Sequence, residues 1–535
     1  MQNSGSNMVA QSPEVDETHK FINKGSKTTK KFEDVIDDIG GFGCWQKVIF
    51  VIIYTAEIFG AFGMLGPVLI GAVPKWRCSS WSNSTSDFNN DNSTSNSSST
   101  NSTEYFQCEK NGMKCLGYVY EDDFTSIVSE WNLVCDMSYA SDLINSIQMA
   151  GLLLGAACCG QFSDLFGRKK MYYMTFLILT VGGILSGIAN RWELYAACRF
   201  MVGFGFGGNM VVMCVYPIEF LGRKYRVLCG TVGFWAIGTI ILAGVGYFIR
   251  AWRTFTIVSS SIGLIYFATW WLMDESPRWL LQQGRLEESE AVLSKIARRN
   301  GTTPPDLATL KAVAQSDQNE DETKKYTYLD LFKSRLYLKR AIILFLTWFT
   351  TFVIYYELSY NLKNFSGDRY FNLIMSGLID WAALITVIPS YHFLGRRLGL
   401  SCYLSLAGGC LIAVLVLILT GSDQTYPSLL LAFALVGKSS GLCGTYAVMI
   451  YSAEIYPTVI RNVGVGTGCI AARLGGIVAP QIVFLGTMYL SAPYIICITL
   501  VTIALPTLFL LPETKGAPLQ DSMDAPSTNK KVAPV

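Results

Sequence analysis

Two charges stand where hydrocarbon would surround them. Asp380 and Arg473 each lie near the middle of a long apolar block, where an ionisable side chain costs about 2.5–3.5 kcal/mol on insertion scales and marks a functional position by default. An acid so placed attracts an ammonium group, and an arginine fork holds a carboxylate through two parallel hydrogen bonds. Rings crowd two other blocks. Trp348 and Tyr355 lie two turns apart along one helical face, with Phe349, Phe352 and Tyr356 in a neighbouring stripe and Trp235 in an earlier block. Rings facing a cleft hold ammonium groups by cation–π attraction, worth roughly 0.5–2 kcal/mol each. Glu57 and Glu357 add acids that reach the cleft or a proton path, Glu357 close enough to its block's end to reach water by simple extension. Two blander arrangements compete: Asp380 and Arg473 pair only with each other, and Arg199 and Lys438 are packing charges satisfied by backbone carbonyls. The chemistry this set suits is non-covalent recognition of a small charged solute. No Gly-rich phosphate loop, metal-ligand cluster or nucleophile–base constellation stands out in the sequence, so an enzyme, a metal and a cofactor are not expected.

The elements that must position these residues follow from composition. Of 535 residues, 51% are hydrophobic and only 15% charged, against about 25% charged in a soluble domain. The apolar residues fall into blocks of roughly 20, the length that crosses hydrocarbon as a helix. Their approximate limits are 48–73, 139–162, 171–190, 192–217, 228–249, 254–273, 340–360, 370–394, 399–420, 427–453, 463–489 and 492–511. The expectation is an all-α membrane protein of twelve transmembrane helices, with the eighth, which holds Asp380 and His392, the least regular. A net charge of +2 implies no nucleic-acid partner. A polar stretch up to Lys47 precedes the first block, so no cleavable signal is expected.

Basic residues set the orientation. Arg168, Lys169 and Lys170 follow span 2; Arg223, Lys224 and Arg226 follow span 4; Arg396 and Arg397 follow span 8; Arg461 follows span 10. All fall on one side with Lys20, Lys24, Lys27, Lys30 and Lys31 before span 1, so both termini and the segment 274–339 are expected in the cytoplasm. That segment reads as short amphipathic helices, for example 286–299, interrupted by a flexible stretch at 302–322. The loop 74–138 falls on the opposite face. It is rich in Ser, Asn and Thr and holds sequons at Asn83, Asn92, Asn96 and Asn101, which predict glycosylation. It also holds Cys78, Cys108, Cys115 and Cys135, enough for two disulfides in an oxidising compartment, with three pairings open.

The chain repeats itself. Tyr216, Glu219 and Arg226 recur as Tyr451, Glu454 and Arg461; Gly167-Arg168-Lys169 recurs as Gly395-Arg396-Arg397; Glu275 recurs as Glu513. The displacements are all roughly 228–238 positions, which makes two six-helix repeats. Parallel halves of this kind suit a transporter with its site between them. The expected division is 1–47 as a cytoplasmic N-terminal segment, 48–273 as the first bundle, 274–339 as a linker, 340–511 as the second bundle and 512–535 as a cytoplasmic tail. Asp164, Arg168, Glu219, Arg226, Glu454 and Arg461 fall where the halves would meet on the inner side, positions suited to a gating salt-bridge network.

Gly160-Gln-Phe-Ser-Asp164-Leu-Phe-Gly167-Arg168-Lys169 resembles the span 2–3 signature of the major facilitator superfamily, and Arg199-Phe-Met-Val-Gly203-Phe-Gly205-Phe-Gly207 its span 4 motif. The cysteine-bearing loop closed by Trp131-Asn-Leu-Val-Cys135-Asp136 resembles solute carrier family 22, the organic cation, carnitine and organic anion transporters. Glu275-Ser-Pro-Arg-Trp-Leu280 and Glu454-Ile-Tyr-Pro-Thr458 support that likeness, and Gly246-Tyr-Phe-Ile-Arg250 and Ile460-Arg-Asn-Val-Gly464 point to its member 15 branch. The resemblance implies a multi-pass plasma-membrane protein embedded in lipid that carries small organic zwitterions or cations by alternating access. It also implies that cation-selective members carry an acid at the Arg473 position and anion and carnitine members a base. The rivals are an organic anion exchanger, a sugar porter and a transporter-like sensor; the mid-span acid and base speak against sugars. The family's usual glycine after the span 7 tyrosine pair is Glu357 here, and many members hold six cysteines in the first loop where this chain holds four. The number of chains in the assembly is left open.

Overall fold

The computed structural model describes residues 31–81, 105–106, 108–110, 112–121, 124–222, 224–225, 234–321, 334–457 and 460–515. Among these, nine helices are long and apolar enough to cross a membrane. They are span 1, Cys44–Ile70; span 2, Cys135–Phe166; span 3, Arg168–Ile188; span 4, Trp192–Phe220; span 7, Arg335–Asn364; span 8, Arg369–Phe393; span 9, Arg396–Leu419; span 10, Pro427–Ile455; and span 11, Val463–Met488. Shorter apolar elements complete the twelve: span 5, Phe234–Phe248; span 12, Ala492–Leu508; and span 6, the helix Trp252–Ile262 continued as a 3-10 helix through Gly263–Trp271. Span 8 is irregular, as expected. Its helix stops at Ile385 and resumes at Val387, because Pro389 has no N–H and its ring crowds the carbonyl four residues back.

The repeat is visible atom by atom. Span 2 ends at Gly167 and span 8 at Gly395, with φ of +104° and +89°, a conformation that L side chains resist. The carboxylate of Glu275 accepts from the backbone N–H of Arg168 and Lys169 at 2.8 and 3.0 Å. Glu513 does the same for Arg396 and Arg397 at 2.9 and 3.1 Å. Each acid caps the positive end of the following helix. Within the first half, spans 2 and 4 touch backbone to backbone: a Cβ on Gly203 would stand 1.9 Å from the Gln148 carbonyl oxygen, the close approach that small residues permit inside a bilayer. The halves meet through spans 2 and 11, 5 and 8, and 1 and 7.

The loop before span 2 adds something to the helical plan. Strands β1 (Trp76–Trp81), β2 (Glu109–Lys110) and β3 (Met113–Tyr120) form an antiparallel sheet in the order β1-β3-β2. Cys78 bonds Cys115 across β1 and β3, and Cys108 bonds Cys135 at the root of span 2, which selects one of the three pairings. The four sequon asparagines, Asn83, Asn92, Asn96 and Asn101, lie outside the described residues. The end of the bundle that carries this sheet is the loop end; the opposite end carries the linker.

The linker holds helices Pro277–Gln282, Leu286–Asn300 and Leu307–Asp321. The flexible stretch expected at 302–322 is therefore mostly helix. Leu310 and Val313, one turn apart, are fully buried, so that helix gains from an apolar face. The linker is fastened to the first half. Asn300 donates to the Ile39 carbonyl and to Gln46 at 2.9 and 2.7 Å and accepts from the Trp45 N–H at 3.2 Å; Arg278 pairs with Glu33 at 3.0 Å.

Candidate functional site

The rings of span 7 form one continuous surface. Trp348, Phe352, Tyr356 and Tyr360 recur every fourth residue, with successive centroids 5.9, 6.0 and 6.0 Å apart. Tyr355 joins them at 5.3 Å from Tyr356, so the two expected stripes merge. Trp348 donates to Ser452 Oγ of span 10 at 2.9 Å. A Cβ on Gly468 of span 11 would stand 2.5 Å from Trp348 Nε1, so a bare glycine is what lets span 11 lie against the ring. Tyr355 faces the other half: Trp235 Nε1 of span 5 donates to its hydroxyl at 2.7 Å, and Trp235 lies on Phe206 at 5.6 Å.

Asp380 does not stand open, nor does it pair with Arg473. It is fully buried in an ion pair with Lys438 of span 10 and accepts from Ser439 Oγ at 2.6 Å, while Lys438 Nζ donates to Ser376 Oγ at 2.8 Å. The backbone-carbonyl arrangement expected for Lys438 is thus replaced by a carboxylate, the partner an ammonium in a low-dielectric interior needs. Arg199 behaves as expected, bonding the Gly63 carbonyl and, at 2.8 Å, Gln148 Oε1. Lys438 Nζ also sits 5.0 Å from the Tyr355 ring centroid, so the protein's own cation occupies that ring.

Arg473 is the charge left over. Its Cζ is 5.9 Å from the Phe352 centroid, its Nη2 meets Met210 Sδ of span 4 at 2.9 Å, and its Nε has no partner. Among the described residues no carboxylate pairs with it. A thioether is a weak acceptor for a guanidinium. From the first half, Glu57 of span 1 is half-buried against the Trp235 backbone, beside Tyr446 of span 10. Glu357 turns out differently from expectation. It neither reaches water nor faces the other half, but is fully buried within the second half, where Asn361 donates to it at 3.0 Å and its second oxygen has no partner.

At the linker end the charges pair within each half. Arg168 bonds Glu219 at 3.2 Å and also Asp164; Arg396 bonds Glu454 at 2.9 Å, and Thr514 donates to Glu454 at 2.7 Å. Arg461 has neither Nε nor Nη2 partnered, and Arg226 lies outside the described residues. At the loop end the halves are latched together. Lys363, in the last turn of span 7, pairs with Asp142 of span 2 at 2.6 Å, both almost fully buried. Ser146 donates to the Ile477 carbonyl at 2.8 Å and accepts from Gln481 at 3.0 Å. Sequence reasoning missed Asp142 and Lys363 because each lies at the edge of a span, where a charge reads as an ordinary boundary. It missed Met210 because nothing in a sequence marks a thioether as a partner for arginine.

Two homologous six-span bundles, latched at one end and carrying charges and rings between them, define a major facilitator. The E. coli xylose transporter XylE in an inward open conformation has this fold, with a TM-score of 0.62 at 18% identity over 88% of this chain and 98% of that one. The family described as sugar (and other) transporter matches residues 78–524. Nearer relatives narrow the class. Human organic cation/carnitine transporter 2 is 32% identical, covering 92% of this chain and 94% of its own length. The organic cation transporter protein of Drosophila melanogaster is 31% identical over 94% and 96%, and the solute carrier family 22 member 15-like protein of Xenopus tropicalis 31% over 91% and 94%. The chain belongs to solute carrier family 22 and is a membrane transporter, not an enzyme.

Proposed function

We propose that this transporter carries small organic zwitterions and cations through the site between its halves by alternating access. The observation that carries this reading is Arg473, a buried guanidinium at the junction of the halves with a thioether for a partner and, among the described residues, no carboxylate. Such a group has the fork that a solute carboxylate fills. Asp380 is already neutralised by Lys438, so the acid for a solute ammonium is Glu57, which lies against Trp235, and Trp235 in turn bonds Tyr355 of the span 7 ring surface. Relatives named for organic cations and for carnitine, which joins an ammonium to a carboxylate, support the choice. The loop end faces the cell exterior in this reading, which the two disulfides favour. The sequons are then glycosylated, and the termini and linker 274–339 are cytoplasmic. Arg461 has donors to spare at the linker end and is the residue placed to bond the opposite half when that end closes. An organic anion exchanger is the second reading, favoured by Arg473, whose charge no carboxylate among the described residues pairs with.

Uptake of labelled carnitine, a quaternary ammonium and a dicarboxylate decides between them. Arg473→Ala is expected to reduce carnitine uptake at least tenfold, the loss of about 1.4 kcal/mol or more of charged hydrogen bonding, and to leave the quaternary ammonium nearly unchanged. Glu57→Gln is expected to impair both ammonium-bearing solutes. Equal loss of every solute in Arg473→Ala would remove this arginine from recognition, and dicarboxylate uptake unaffected by Glu57→Gln, with no cation uptake in the parent, would establish the anion reading.

A further inference from the structure

Glu357 is a carboxyl that the transport site does not use. It is fully buried in span 7 and turned into the second half, where Tyr494 and Cys497 of span 12 lie against it. Its Oε1 accepts from Asn361 Nδ2 at 3.0 Å; its Oε2 has no partner. The other helices packed on span 7, spans 1, 10 and 11, bring no ion pair to it among the described residues. An ionised carboxylate sealed from water without a cation costs far more than the neutral acid, so burial of this kind goes with a bound proton.

A polar route leads from this carboxyl toward the loop end. Asn361 also donates to the Tyr494 hydroxyl at 3.2 Å, and Asn364, which is exposed, donates to Asn361 Oδ1 at 2.9 Å. From Asn364 to Glu357 is two helical turns, about 10 Å. The route opens beside Lys363, whose pairing with Asp142 holds the loop end shut. In this closed form Asn364 is exposed, while Asn361 and Glu357 lie buried behind it.

We propose that Glu357 is a proton-binding site that ties closure of the loop end to acidity on that side. The carboxylate takes one proton from loop-side water while the end is open, becomes the neutral acid, and is then sealed in; opening returns the proton to the same side. No proton crosses the membrane. The closed form binds the proton more tightly, so acidification must favour closure. For one proton, each pH unit shifts the ratio of closed to open by at most about tenfold. The sign is diagnostic. Protonating Asp142 would break its pairing with Lys363 and open the loop end, the opposite response. The inference rests on the alternating-access reading above, but its test monitors closure and needs no solute.

The experiment places spin labels at the loop ends of spans 2 and 7 in the full-length protein, in a background without free cysteines, reconstituted in liposomes. Lowering loop-side pH is expected to convert the open distance into the closed one. Glu357→Gln, the neutral mimic, is expected to stay closed at every pH, and Glu357→Asp to respond with a displaced midpoint. Difference infrared spectra should show a carboxylic-acid carbonyl in the closed wild type that is missing in Glu357→Gln. A wild-type distance that ignores pH overturns the proposal even if the variants fail to insert. So does opening on acidification, a Glu357→Gln variant that follows pH like wild type, or closure that tracks replacement of sodium at constant pH.

Discussion

The two ends of the molecule use charge in opposite ways. At the loop end, Lys363 and Asp142 pair across the halves with only 6% and 4% of their side chains exposed. At the linker end, Arg168 pairs with Glu219 and Arg396 with Glu454, each inside its own half. A pair that spans the halves holds one conformation; a pair within a half travels with it. The difference shows where this conformation is fastened. The loop end is shut by bonds that must break, while each half's linker end is stitched internally by a capped helix and a salt bridge. The repeated Gly-Arg and Glu positions are therefore first of all the scaffolding of each half, and the latch is built from residues that do not repeat.

The scaffold gives the largest expected effect. Arg168 and Glu219 each expose 8% of their side chains, so Arg168→Ala would strand a buried carboxylate, a loss of about 3–5 kcal/mol. Its repeat-mate Arg396 is 25% exposed, and Arg396→Ala is expected to cost about 1.5–3 kcal/mol, the range for hydrogen bonds to charged groups. Thermal unfolding of purified variants measures both. Equal losses would mean that the two scaffolds are burdened alike and that burial does not distinguish them.

Next comes the latch. Lys363→Ala leaves Asp142 buried and unpaired only in the loop-closed form, so the roughly 2–4 kcal/mol cost falls on closure more than on folding. The expected result is greater accessibility of loop-end positions to a hydrophilic thiol reagent, with little change in unfolding temperature. Asp142→Ala added to Lys363→Ala should recover part of the closure. A lowered melting temperature without increased accessibility would make the pair a structural staple, and the contrast between the ends would weaken.

Much of this was legible in the sequence, for identifiable reasons. Hydrocarbon thickness fixes helix length, so twelve apolar blocks became twelve spans, and even the weakness of span 8 showed through its composition. The repeat offsets placed Arg168 with Arg396 and Glu219 with Glu454 because both halves descend from one pattern. What did not show was partnership between helices far apart in sequence. Asp380 found Lys438 rather than Arg473 because helix rotation and packing, not depth in the block, decide which mid-span charges meet. The direction of Glu357 depended on the same rotation. The helix Leu307–Asp321 was masked by its polar composition, and the small sheet by strands only two to eight residues long.

The smallest effect tests what the linker end is for. Asp164 bonds Arg168, yet its side chain is 69% exposed, and an exposed pair contributes at most about 1 kcal/mol. Arg168 keeps Glu219 without it. Asp164→Asn is therefore expected to unfold within about 0.5 kcal/mol of the parent. In the proposed closure of the linker end, Asp164 is the exposed member of the cluster and Arg461 of the other half has unpartnered donors to meet it. The maximal uptake rate of Asp164→Asn should then fall while its stability stays put. Should stability fall with the rate, Asp164 would belong to the static scaffold, and the closing contact at that end would have to be sought in other residues.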